Sequence, residues 1–280
     1  MHQHGHGPKP ERSLPHGVRR VVAVGAGKGG VGKSTVSVNL AVALAAGGLK
    51  VGLLDADVYG PNLPQMLGVQ NFVPELGEDN KIEPAAAHGV KLMSMGFLLR
   101  DDAPVIWRGP MLHGALIQLF RDVNWGELDY LVVDLPPGTG DVPLSISQQI
   151  RATGAVLVTT PQDVSLADVM KAKLMFDKVN IPVLGMVENM SNFICPHCQQ
   201  ATPIFDTGGG KRGAEAMGIP FLGEIPLDLA VRQGGDKGVP IVVEAPLSSQ
   251  SKAFQEMARN IAGQVSRQAM QVKLPVFGQS

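Results

Sequence analysis

The sequence predicts a doubly wound α/β fold, a mostly parallel sheet with helices on both faces. Three observations point to it. Short apolar runs, several rich in Val and Leu throughout, alternate with stretches of helical periodicity. A glycine-rich loop of phosphate-binding pattern lies where the first run gives way to the first helix. Glycine is abundant at 34 residues while aromatics make up only 5%, which suits tight strand–helix turns and close helix–sheet packing.

The chain opens with His2, His4, His6 and His16 among Gly and Pro, and residues 1–17 read as a flexible leader, with weak metal binding as the competing reading. Strands are expected at 21–24, 51–54, 91–95, 131–133, 155–159, 183–187 and 221–225. Runs that are apolar on both faces belong in a parallel sheet covered on each side. Helices are expected between them, at 33–46, 111–121, 142–151, 166–179 and 211–217. A last helix over 251–265 sets Phe254, Met257, Ala258, Ile261, Ala262 and Val265 at helical spacing. Its polar side has few Lys or Arg, so it is expected to dock on the core rather than on a membrane. With no linker and no repeat, residues 18–270 form one expected domain and 271–280 a C-terminal tail.

Composition narrows the function classes. Apolar residues are 44% of the 280, charged residues 18%, and the formal net charge is −1. That balance gives no sign of a nucleic-acid-binding surface. The longest apolar candidate, 36–46, is interrupted by Ser37 and Asn39 and is too short to span a bilayer. The start lacks the apolar stretch of a secretory signal, and a cytoplasmic protein is the expectation.

Gly27, Lys28, Gly29, Gly30, Val31, Gly32, Lys33, Ser34 and Thr35 match the pattern G-x-x-x-x-G-K-[ST], after a strand and at the start of a helix. The glycines let the backbone curl so that its N–H groups face phosphate oxygens at a helix N-terminus. Lys33 is expected on the β- and γ-phosphates of ATP, and the Ser34 hydroxyl on Mg²⁺. Asp55 and Asp57 follow the second strand, and Asp134 ends the apolar strand after Tyr130. Carboxylates at strand ends face the ligand crevice of such a sheet. Asp134 suits Mg²⁺ through water, and Asp57 completes the expected Mg²⁺ set; helix capping is the plainer role for either. The loop from Pro136 to Asp141 carries Gly138 and Gly140 and is expected to move with the γ-phosphate. Lys28, a cation at the loop mouth, is either a further charge on the phosphates or a solvated surface lysine.

The two cysteines, Cys195 and Cys198, exclude a multi-disulfide framework. A C-x-x-C turn aims two sulfurs at one metal centre, whereas tetrahedral zinc and cubane clusters usually take four ligands. Two copies across a twofold axis would supply four thiolates. A thioredoxin-like redox pair and two inert thiols are the competing readings, and thiolates alone do not separate zinc from iron–sulfur. His197 between them is a weaker ligand candidate.

K-G-G-V-G-K-S-T resembles the deviant Walker A loop of the MinD/ParA/nitrogenase-iron-protein class. Together with D-A-D-V-Y-G-P, W-R-G-P-M from Trp107, D-L-P-P-G-T-G-D, and V-E-N-M-S followed by C-P-H-C, it resembles the Mrp/ApbC iron–sulfur cluster carriers over residues 18–265. The resemblance implies a homodimeric ATPase of P-loop fold that binds a [4Fe–4S] cluster at the subunit interface through Cys195 and Cys198. It also implies apo iron–sulfur proteins as recipients and a cluster-assembly scaffold as donor. Lys28 would then touch the opposite subunit's nucleotide, Asp57 would orient the attacking water, and Asn189, just after the sixth strand, would read the adenine. The preceding small domain and the four-cysteine N-terminal motif of some relatives do not fit in the leader, so a second, N-terminal cluster is not expected. A MinD/ParA-type switch ATPase with structural zinc is the runner-up. A nitrogenase-type iron protein fits less well, because its cysteines are widely separated. A zinc dimer with a vestigial ATP site conflicts with the intact Lys33, Ser34, Asp57 and Asp134.

Overall fold

A computed structural model of the protein describes residues 13–77, 79–98, 109–195, 198 and 200–271, without the side chains of 109, 110, 112, 113 and 271. Most of the leader, Trp107 and Arg108, His197 and the tail from 272 lie outside the described residues.

In chain order the elements are β1 (Val21–Ala26), α1 (Lys33–Ala46), β2 (Val51–Asp55), the single turn α2 (Leu63–Met66), β3 (Ala85–Ala87), β4 (Val90–Ser94), α3 (Gly109–Arg121), β5 (Tyr130–Asp134) and α4 (Asp141–Gln149). The second half holds β6 (Gly154–Thr159), α5 (Asp163–Lys178), β7 (Val183–Ile194), β8 (Ala201–Thr202), α6 (Gly209–Ala216), β9 (Phe221–Leu227), α7 (Leu229–Lys237), α8 (Ile241–Glu244) and α9 (Ser249–Gln271). One sheet runs β3-β4-β2-β5-β1-β6-β7-β8, with β9 also on β7. Its seven long strands pair parallel, and only the short β3 and β8 are antiparallel. Helices α1, α8 and α9 form one layer and α3 to α6 the other. The expected doubly wound fold is the observed one.

The reason lies in the side chains. β1, β2, β5 and β6 are buried at every position, as strands covered on both faces must be. α1 is apolar nearly all round because it sits between the sheet and α9, and Val36, Val38, Leu40 and Ala41 are fully buried. The last helix docks as expected: Phe254, Met257, Ile261 and Val265 are fully buried. It extends from 249 to 271, beyond the predicted 251–265.

The other departures have local causes. β7 runs for twelve residues, well past the predicted end at 187. Its second half is polar and reads as a turn, but its side chains find partners inside: Glu188 on Gly210 N, Asn189 on Val31 O and Ser191 on Ile225 O. Asn189 is therefore inside the strand, not after it. The short α7 and α8 are not in the expected set: α7 buries only Gly234 and α8 is a single turn.

Candidate nucleotide and thiol sites

β1, β2 and β5 are adjacent in the sheet, and their carboxyl ends bring the phosphate loop, Asp57 and Asp134 together. Asp134 lies opposite both Val24 and Asp55 in register. The loop keeps its shape through two tight approaches. A side chain at Gly27 would collide with the Asp168 backbone of α5, and Gly32, at φ 79°, is pressed against the Asn189 amide. Asn189 donates to Val31 O at 2.9 Å, so it braces the loop from beneath. Ser34 and Thr35 are half-buried in the first turn of α1, and Gly29 and Gly30 are open to solvent. Lys28 is half-buried at the mouth and makes no ion pair among the described residues.

Lys33 is buried beneath the loop, with Nζ 2.6 Å from Asp134 Oδ2 and 3.8 Å from Asp57 Oδ2. Asp134 also accepts from Ser34 Oγ at 2.7 Å and Ser37 Oγ at 2.5 Å. Burial pushes the Asp57 carboxyl up from its ordinary value, opposed by Lys33 and reinforced by Asp134. Asp55 is pushed up to about 7, mainly by burial and then by Asp134, against the hydrogen bond from Ser94, the Lys33 charge and the Asp57 amide. One buried ammonium thus faces two carboxyls, Asp134 and Asp57, with Asp55 buried behind them. That excess of hard oxygen donors, with the Ser34 hydroxyl beside it, fits Mg²⁺.

Ser37 carries no expected role in the sequence, and Asp55 is expected only as a carboxylate of the crevice. Ser37 is the polar position one turn beyond Lys33 in an otherwise apolar helix, which was its visible signal. Asp55 accepts from Asp57 N at 3.2 Å, Leu63 N at 3.3 Å and Ser94 Oγ at 2.9 Å, pinning the chain that carries Asp57. Beside Asn189 opens a cavity of about 370 Å³, lined by Thr35, Asn62, Leu227, Val231 and Arg232 among others. Its far wall, α7, carried no sequence signal. The Pro136–Asp141 loop docks on β1 through Gly138 N to Ala26 O, with Gly138 at φ 89°.

Cys195 follows β7 directly, in a hairpin closed by Cys195 N to Gln200 O and by the pairs Phe193–Thr202 and Ile194–Ala201. Cys195 is half-buried and Cys198 exposed. Asn189 and Cys195 stand six residues apart in the chain, with Met190 at φ 57° and a break in the β7–β9 register between them. Among the described residues no three His, Cys, Asp or Glu side chains gather as a metal site.

A family profile described as ParA, NUBPL iron-transfer P-loop NTPase, matches residues 17–262. The chain belongs to that family. An Arabidopsis thaliana iron–sulfur protein required for NADH dehydrogenase, mitochondrial, is 54% identical over 88% of this chain and 79% of its own length. An iron–sulfur cluster carrier protein of Synechocystis is 50% identical over 93% of this chain and 75% of its own. Among solved structures, an Archaeoglobus fulgidus nucleotide-binding protein in complex with ADP is 40% identical at TM-score 0.74, covering 85% of this chain and 92% of that one. The Pyrococcus furiosus cell division ATPase MinD superposes at TM-score 0.66 with 27% identity, over 87% of this chain and 98% of that one. Family and fold make this chain an ATP-binding, ATP-hydrolysing carrier of iron–sulfur clusters.

Proposed function

We propose that two copies of this chain hold one [4Fe–4S] cluster between their Cys195–Cys198 pairs, and that ATP hydrolysis at the phosphate loop drives a change in how tightly it is held. The observation that carries this is the single exposed C-x-x-C hairpin: each chain has two thiols and a cubane takes four ligands. The cluster is cargo. It arrives from a cluster-assembly scaffold and leaves to apo iron–sulfur proteins, and the thiolates stay reduced in a cytoplasmic setting.

In the ATP site the loop amides from Gly27 to Thr35 cradle the phosphates, and Asn189 at the wall of the adjoining cavity meets the adenine. Lys33 exchanges its ion pair with Asp134 for the β- and γ-phosphates. Ser34 and Asp134, with Asp57 nearby, would hold Mg²⁺, which would supply positive charge to the phosphate oxygens. Asp57 orients the water that attacks the γ-phosphorus as the bond to the leaving ADP oxygen breaks. Lys28, which makes no ion pair among the described residues, reaches the nucleotide of the other copy. Catalysis here is positioning plus charge neutralisation.

Anaerobic reconstitution with iron and sulfide, with zinc assayed alongside, tests the reading. About four iron and four sulfide per dimer are expected in the wild type and none in Cys198→Ala. Zinc alone, or no metal with ATPase intact, would favour the switch-ATPase reading instead.

A further inference from the structure

Glu188 is fully buried in β7, between Thr159 of β6 and Glu224 of β9, and no step above uses it. Its Oε2 accepts from Gly210 N at 2.5 Å, and the Gly208 amide also bonds to the carboxylate. Its Oε1 is buried without a partner. Burying a carboxylate is costly, and an apolar side chain would fill the space more cheaply. The carboxylate must therefore be explained by what it holds.

It holds the return of the chain. After Glu188 the backbone passes Asn189, runs out along β7 to the two cysteines, turns back through β8 and re-enters at Gly208–Gly210, the start of α6. Residues 201–207 are exposed, so the excursion has little packing of its own on that leg. Its re-entry is tightly specified. A side chain at Gly209 would strike Pro161 O, and one at Gly210 would strike Glu188 itself. Gly208, at φ 70°, offers α6 no side-chain cap, and Glu188 serves in its place from another strand. On the returning leg Arg212 also bonds to Thr207 O and Asp206 at the surface, and on the outgoing leg Ser191 bonds to Ile225 O and Phe193 pairs with Leu227 of β9.

We infer that Glu188 is the positioning residue of the thiol hairpin: its carboxylate ties both ends of the 190–207 excursion together at the strand that carries Asn189. It thereby holds Cys195 and Cys198 in a fixed relation to the nucleotide site. The role in cluster holding rests on the proposed function; the closure of the hairpin does not.

The test uses the full-length protein with Glu188→Ala and, as a milder variant, Glu188→Gln, which retains one acceptor oxygen. Amide hydrogen exchange is read at 201–210 and at the phosphate loop, alongside the rate at which a chelator strips the reconstituted cluster. In Glu188→Ala, exchange at 201–210 and cluster loss should both quicken about tenfold, with phosphate-loop exchange unchanged and Glu188→Gln in between. Hairpin exchange within twofold of wild type in both variants would overturn the inference. So would loss of protection spread equally over the phosphate loop, which would mark a merely structural residue. A wild type that takes up no cluster would sink the proposed function, while the exchange comparison would still decide on Glu188.

Discussion

Asp55 shows how a residue can serve a site it never enters. Its carboxyl joins Ser94, the Leu63 amide and the Asp57 amide, and burial raises its pKa to about 7. The folded protein therefore keeps a proton that the unfolded chain releases near pH 4. Wherever the folded state binds more protons, stability falls as pH rises. Asp55 should thus cost stability progressively between about pH 4 and pH 7 and no further above that. Urea unfolding in chelator-containing buffer at pH 4.5 and 7.5 checks this. The wild type should lose on the order of a few kcal/mol more across the interval than Asp55→Asn. The variant should keep a residual slope, since Asp57 and Glu188 are shifted the same way. Parallel pH profiles for the two proteins would refute it.

At the scale of elements, α9 has no part in the chemistry but covers α1, the helix that begins with Lys33. Phe254 is among the largest fully buried side chains, so Phe254→Ala should destabilise by about 3–5 kcal/mol in chemical unfolding. Leu247→Ala, at a residue 82% exposed just before α9, should change stability by less than about 0.5 kcal/mol. Equal losses would mean that α9 is not docked as described. This helix was legible in the sequence because burial on one face forces a 3.6-residue rhythm, whereas α1 and the central strands, covered on both sides, were legible as continuous apolar runs. The glycine loop was legible too, since backbone curvature dictates its residue types. What stayed hidden depends on partners far along the chain. Polar residues at the far end of β7 look like a turn until Gly210, Val31 and Ile225 supply their bonds. The cavity beside Asn189 needs walls from α2, a single turn, and α7, a short helix in which only Gly234 is fully buried. Asp55 looked like one more crevice carboxylate, and only Ser94 and Leu63 reveal its role.

On the scale of the whole molecule, the proposed function puts nucleotide and cargo in separate places. Lys33 lies under the sheet's carboxyl edge, and the thiols lie at the end of an exposed hairpin. Lys33→Ala should therefore abolish ATP turnover while leaving iron and sulfide content near wild type. Cys195→Ala should do the reverse. Phosphate release and iron content, measured on both variants, decide it. Equal cluster loss in Lys33→Ala would show that the two functions cannot be separated.

The buried pair of Lys33 with Asp134 also bears on what an anion must do to engage the loop. A lone phosphate approaching the loop meets an ammonium already engaged, with further carboxyls behind it. To win Lys33 it must break a sheltered contact using only the few amides that one group can reach. A triphosphate would span more of the loop and offer oxygens to several of its amides. A triphosphate should therefore draw Lys33 away from Asp134 where inorganic phosphate does not, and competition of the two anions for the loop is the measurement that checks it.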